Sequence, residues 1–242
     1  MDLDLSAAGL PSTVPAKLPP AFESAGTEAS EPPKTAGETT ELKLAEFPHT
    51  CSIYVPATRT PGESLAALLW LAAPSDSKPG DTIREWQKSC DQTGLVLIVP
   101  TPKDADHWER ADAEYLHRLL ERVISQYKID PHRVVIGGRG NAGSIAWPLA
   151  FAGREFVRGI AAVGAPLPRQ TKVPPNDPAQ RLAVFAALSS KKDAAAAMTQ
   201  GLKKVADAGY NVTTITTSTT TGQLSDAERE ELARWIDSLD RF

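Results

Sequence analysis

The sequence predicts an α/β fold in three layers: a mainly parallel central sheet of about seven to eight strands, entered through an antiparallel N-terminal hairpin and covered by helices on both faces. Three observations carry this reading. Short, mainly apolar runs such as Leu65 to Ala72 (LAALLWLA), Leu95 to Pro100 (LVLIVP) and Arg133 to Gly138 (RVVIGG) suit strands buried on both sides. They alternate with stretches of helical periodicity, the clearest being Ala111 to Tyr127, where Leu116, Leu119, Leu120, Val123 and Ile124 share one face. A chain of 242 residues, 41% hydrophobic, is long enough to close one sizeable core.

In chain order, Met1 to Thr40 is rich in Pro, Ala, Ser, Thr and Glu and nearly free of aromatic residues, so it cannot bury enough apolar surface to offset its ordering entropy. We read it as a disordered linker or tail, with a single domain over residues 41–242. Leu42 to Phe47 and Cys51 to Pro56 are the expected entry hairpin. After the run at Leu65, Thr82 and Glu85 have the spacing of a capping box opening a helix that Gly94 closes. A helix follows from about Asn141, interrupted by Pro148, and then the strand Gly159 to Val163. Leu182 to Leu188 is a strand, Met198 to Ala208 a helix, Val212 to Thr217 a strand, and Asp226 to Leu239 a last helix opened by the box Ser225/Glu228.

Composition narrows the function. With 26 basic and 30 acidic residues interspersed there is no basic stripe for a phosphate backbone, so nucleic acid is not an expected partner. Cys51 and Cys90 are too few for a disulfide framework and lack the companion ligands of a zinc site; they read as half-buried thiols, and no metal is expected. The N-terminus has neither the basic nor the apolar region of a signal peptide, and no apolar run spans a bilayer. The chain as given reads as soluble; its place of work is left open, and is outside the cytoplasm if it belongs to an exported parent.

The chemistry-bearing segment is IDPHRVVIGGRGNAGSIAWPLAF, Ile129 to Phe151: strand, glycine-rich turn, helix. With Asp130-Pro131-His132-Arg133-Val134 leading in, Trp108 upstream, and Phe156, Arg158 and the strand at Gly159 following, it resembles the elbow region of the polyhydroxyalkanoate-depolymerase and prolyl-oligopeptidase-like esterases of the α/β-hydrolase superfamily. The resemblance runs in element order from Leu42 to the C-terminus. It implies that Gly138 is the first glycine of G-x-S-x-G, Arg139 the variable residue, Gly140 the nucleophile position and Ala142 the second glycine, with Gly143 beyond.

On that frame the catalytic parts are missing. Glycine has no oxygen to attack a carbonyl. The strand end that would build an oxyanion hole reads Leu71-Ala72-Ala73-Pro74, without the histidine-glycine turn. Asp193 is a displaced acid or an ordinary helix-terminal carboxylate. The base position carries Gln223, which does not exchange a proton near neutral pH. His49, His107, His117 and His132 all precede the elbow, whereas this fold puts its histidine last, so they read as surface or half-buried. Ser144 lies a helical turn past the tip.

Three readings follow: a degenerate hydrolase domain that binds or scaffolds, needing no cofactor; an active esterase or peptidase with a relocated triad; and an NAD(P)-binding oxidoreductase, because Gly138-x-Gly140-x-x-Gly143 formally matches G-x-G-x-x-G. Against the last, the strand Gly159 to Ala165 ends without an acidic residue for a ribose. A residual cleft would be lined by Ala73, Ser75, Arg139, Gly140, Asn141, Pro166 and Gln223, with Arg139 fit to hold a carboxylate or phosphate. The proline-rich stretch Pro166 to Pro178 is expected to loop over one side of it. A narrower likeness, carried by ELKLAEFPHTCSIYVP, DPAQRLA and ARWIDSLDRF, is to esterase-like domains behind trypsin-like protease or PDZ modules in bacterial multidomain proteins, and implies that other domains of a longer parent are partners.

Overall fold

The computed structural model describes residues 37–56, 64–72, 78–103, 107–190, 192–219 and 223–241. Most of the expected linker, up to residue 36, therefore lies outside the described residues. The strands are β1 (Glu38–Leu42), β2 (Thr50–Val55), β3 (Leu65–Leu71), β4 (Leu95–Thr101), β5 (Ile129–Arg139), β6 (Gly159–Val163), β7 (Ala183–Leu188) and β8 (Asn211–Thr216). The helices are α1 (Pro79–Thr93), α2 (Ala113–Tyr127), α3 (Gly140–Gly143), α4 (Ala146–Ala152), α5 (Lys192–Asp207) and α6 (Asp226–Asp237). One eight-stranded sheet runs in the order β1-β2-β4-β3-β5-β6-β7-β8. β2 is antiparallel to both β1 and β4, and every pairing from β4 through β8 is parallel.

The two apolar faces of each central strand feed separate cores. On β3, Leu65, Ala67, Leu69 and Leu71 point to the side covered by α2, α4 and α5, while Ala66, Leu68 and Trp70 point to α1 and α6. All seven residues of β3 are buried, which is why the run shows no alternation. On the first face Leu116, Leu119, Leu120 and Val123 of α2 meet β5 and β3; on the second Trp86 of α1 packs against Trp70 with ring centroids 5.2 Å apart.

Several sequence expectations need correction. The first hairpin strand is Glu38–Leu42, not Leu42 to Phe47. A polar edge strand (ETTEL) gives no hydrophobic signal, while Leu44 and Phe47 pack onto the core from the connecting turn. Helix α1 opens one turn before Thr82, with Pro79 in its first turn and no side-chain cap at Lys78; Thr82 is buried within it, so the Thr82/Glu85 box does not exist. Gly94 does close α1, at φ 66°. The helix after β5 is two short pieces, and Pro148 sits in the first turn of α4, where a missing N–H removes no helical bond. The box Ser225/Glu228 on α6 is present in full.

Both cysteines are fully buried, not half-buried, and they lie in the two different cores, separated by the sheet: Cys51 on the α2 side and Cys90 on the α1 side. Among the described residues no helix is long and apolar enough to cross a membrane.

Candidate functional site

At the C-terminal end of β5 the chain turns sharply into α3. Two glycines make the turn possible by contact. A Cβ on Gly143 would stand 2.3 Å from the carbonyl carbon of Gly138, and one on Gly138 would stand 2.2 Å from the Leu71 oxygen. The glycine that packs under the turn is thus Gly143, one residue past Ala142, the position the motif frame assigned. Gly140 differs from both. It has φ +57°, and a Cβ there would meet nothing within 4 Å. A side chain at Gly140 would project from the tip, and glycine leaves that space without a reactive atom. Ser144 is not a substitute, because its Oγ lies 3.3 Å from the Gly140 oxygen, turned back onto its own turn of helix.

The structure brings Arg139 and Gln223 together. Both line one shallow depression of about 30 Å³ at this end of the sheet, together with Thr82, Glu85 and Arg229. That volume is about the size of one or two waters. Arg229 is 9% exposed. Its Nη1 donates to the Leu224 carbonyl at 2.5 Å and lies 3.7 Å from Glu85, its Nη2 bonds Asp226, and its buried Nε has no partner. Sequence reasoning missed Arg229, which reads as an ordinary surface arginine of α6.

Helix α6 holds Ser218 and Ser225, which stand before and after residues 220–222. Glu228 accepts from the backbone N–H of Ser218 at 2.6 Å and of Ser225 at 2.7 Å. Burial pushes its carboxyl up, yet these N–H groups and the two serine side chains outweigh that and hold it below the usual carboxylate range. The capping box was legible in the sequence; the bond to Ser218, ten residues away, was not. Within the loop the Gln223 carbonyl accepts from the Thr219 hydroxyl.

The other expected site residues are more dispersed. Asn141 is exposed at the start of α3, and Pro166, half-buried after β6, lies outside the depression. Ala73 and Ser75 lie outside the described residues, as does the side chain of Asp193 in the first turn of α5. At the end of β3, the indole N–H of Trp108 donates to the Ala72 carbonyl at 3.2 Å. The Pro166 to Pro178 stretch is not a cover over the cleft. It runs to the opposite end of the sheet, where Arg154 Nη1 donates to the Pro175 carbonyl at 3.0 Å and Tyr210 to the Pro174 carbonyl at 3.0 Å.

One histidine departs from its expected setting. His49 is 6% exposed, its Nε2 lies 2.8 Å from Asp112 Oδ1, and its ring stacks on Tyr115 with centroids 4.1 Å apart. Asp112 also accepts from the Glu109 N–H at 2.8 Å. This His–Asp pair is buried with no hydroxyl nucleophile among its bonds, and His49 Nδ1 has no partner. Their separation of 63 positions leaves no sequence signal. Among the described residues no cluster of His, Cys, Asp and Glu is arranged to hold a metal.

Strand order, the antiparallel β2, the glycine turn after β5 and the helix-capped loop after β8 together decide the architecture. The chain has the α/β-hydrolase fold. Similar solved structures include an esterase from Pyrobaculum calidifontis (TM-score 0.63, 13% identity, 88% of this chain and 87% of that one). A fungal esterase from Rhizomucor miehei aligns with TM-score 0.61 at 12% identity over 89% of this chain and 86% of the other. A carboxylesterase of Bacillus cereus aligns with TM-score 0.58 at 19% identity over 81% and 95%. No protein-family model matches the chain, and neither does any curated protein sequence.

Proposed function

We propose that this chain is a catalytically degenerate hydrolase-fold domain that acts as a binding or scaffold module, accessory to other domains of a longer parent protein as its narrower sequence likeness implies. One observation carries the reading: the residue with positive φ at the tip of the strand-to-helix turn after β5, where the G-x-S-x-G elbow holds its serine, is Gly140. An acyl-enzyme route needs an oxygen nucleophile there and a proton acceptor close by. The chain offers a hydrogen atom and the amide of Gln223.

The same glycines weigh against dinucleotide binding. Gly138 and Gly143 are consumed by contact with each other and with Leu71, and the helix beyond is two short pieces with little aligned dipole to offer a pyrophosphate.

The test is intact-protein mass after incubation with a reactive fluorophosphonate, beside a heat-denatured control. The expected result is no adduct. A single adduct that requires the folded state would overturn the proposal, and its position would name a relocated nucleophile. The double variant Gly140→Ser/Gln223→His supplies the positive control: there is room for the serine side chain, so a fold-dependent adduct on residue 140 is expected only when both changes are present.

A further inference from the structure

An open cavity lies at the far end of the sheet from Gly140. It is a groove of about 640 Å³ at the N-terminal ends of β5, β7 and β8, a volume typical of small-molecule sites. Arg158, Arg181 and His132 line it, with Asn176 on one wall and the exposed Pro178 and Ala179 supplying apolar surface.

Its arginines pair with no carboxylate among the described residues. Arg158 spends only Nη1, on the carbonyls of Arg154 at 2.6 Å and Val157 at 3.0 Å. Arg181 spends only Nε, on the Pro178 carbonyl at 3.2 Å. Neither has a carboxylate partner among the described residues, so each keeps most of its five donors. Immediately behind Arg158, Arg154 is 9% exposed and bonds only carbonyl and phenol oxygens, its Nε unpartnered. A buried guanidinium compensated only by neutral groups adds positive potential to the site.

Two of the neighbouring carboxylates are paired with Arg133. Asp130 and Asp237 are held by Arg133 at 3.2 and 2.9 Å, and Asp177 accepts from the Ala179 N–H at 2.8 Å. The wall is rigid. The Asn176 side chain accepts from the Leu182 N–H at 3.0 Å and donates to the carbonyls of Leu182 and Gly209 at 3.1 and 3.2 Å. A preorganised wall with two partly unspent guanidinium forks suits planar, bidentate recognition of an anion.

We propose that this groove binds a small organic polyanion, a molecule whose phosphate or paired carboxylates meet Arg158 and Arg181 while its carbon frame rests on Pro178 and Ala179. The site is separate from the elbow and stands or falls independently of it.

Isothermal titration of the full chain with pyrophosphate and with citrate tests it. Saturable binding with one site per chain is expected, weakened about tenfold or more in Arg181→Gln and in Arg158→Gln, since each removes a charge-assisted pair. Arg181 is exposed, so its variant keeps the fold, as a urea midpoint equal to that of the parent will verify. Arg139→Gln is expected to leave binding unchanged. No saturable heat with either probe up to about 10 mM, or undiminished affinity in both groove variants, overturns the proposal. Loss of binding in Arg139→Gln alone also overturns it and moves the anion to the elbow.

Discussion

Gly138 and Gly143 meet backbone to backbone beneath the elbow, so closely that a methyl group on Gly143 would sit 2.4 Å from the Gly138 oxygen. The obstruction is main chain on both sides, with no flexible side chain to yield. Gly143→Ala should therefore cost about 2–4 kcal/mol, by the overpacking mechanism. Gly140→Ala meets open space but must hold φ +57°, so about 1–2 kcal/mol is expected there. Urea unfolding of both variants checks the order. A milder effect at Gly143 than at Gly140 would contradict the packing described.

The pair His49–Asp112 is buried on both sides, each side chain 5% exposed. Removing one member strands the other away from water. Asp112→Ala and His49→Ala should each destabilise by about 3 kcal/mol, and the double variant by less than the sum by at least about 1 kcal/mol. A denaturation cycle over the four proteins measures the coupling. Additive losses would mean the contact is incidental.

Glu228 makes acid stability depend on the loop before α6. Its carboxyl is held below the ordinary range, so the folded chain binds its proton less readily than the unfolded one. The stabilisation is fully present above the unfolded value near about 4.3 and is lost as pH falls through the lower folded value. Glu228→Gln should cost about 1 kcal/mol at neutral pH, and its deficit relative to the parent should shrink below about pH 4. Thermal melts of both proteins across that range decide it; a deficit constant down to pH 2 contradicts the assignment.

Burial pushes the thiols of Cys51 and Cys90 up, well above the usual thiol range, and desolvation is the main cause for each. Neither should react with an aromatic disulfide reagent in the native state at neutral pH, and both should react once the chain is unfolded in denaturant. The two sit in different cores, so no disulfide can join them without opening the sheet.

How much of this could be read from the sequence depended on range. β3, β4 and β6 were legible because apolar runs of that length have few other uses, and the Ser225/Glu228 box because its logic spans three residues. The elbow was placed by its glycines, although which glycine packs beneath it, Gly143 in place of Ala142, needed the main-chain distance. β1 was misplaced because an edge strand on the solvent side is polar. The Thr82/Glu85 spacing misled because Pro79 already offers a better start one turn earlier. Arg229, the Glu228 bond to Ser218 and the burial of His49 are all long-range or environmental, and no local pattern announces them.

The connection from β6 to β7 crosses from one end of the sheet to the other without a helix. Leu167, whose Cβ would be 3.0 Å from one on Gly201, and Val173 pin it to the core, and Arg154, Tyr210 and Asn176 fasten its far half. Between those anchors, Arg169 and Gln170 stand exposed in a turn closed by the Thr171 N–H on the Pro168 carbonyl at 2.9 Å. New sequence spliced in at that turn would lengthen only a closed surface loop, at an entropic penalty that grows slowly with its size. The strap is thus a socket: a peptide or an entire cap could be grafted there and the rest of the molecule would fold beneath it unchanged.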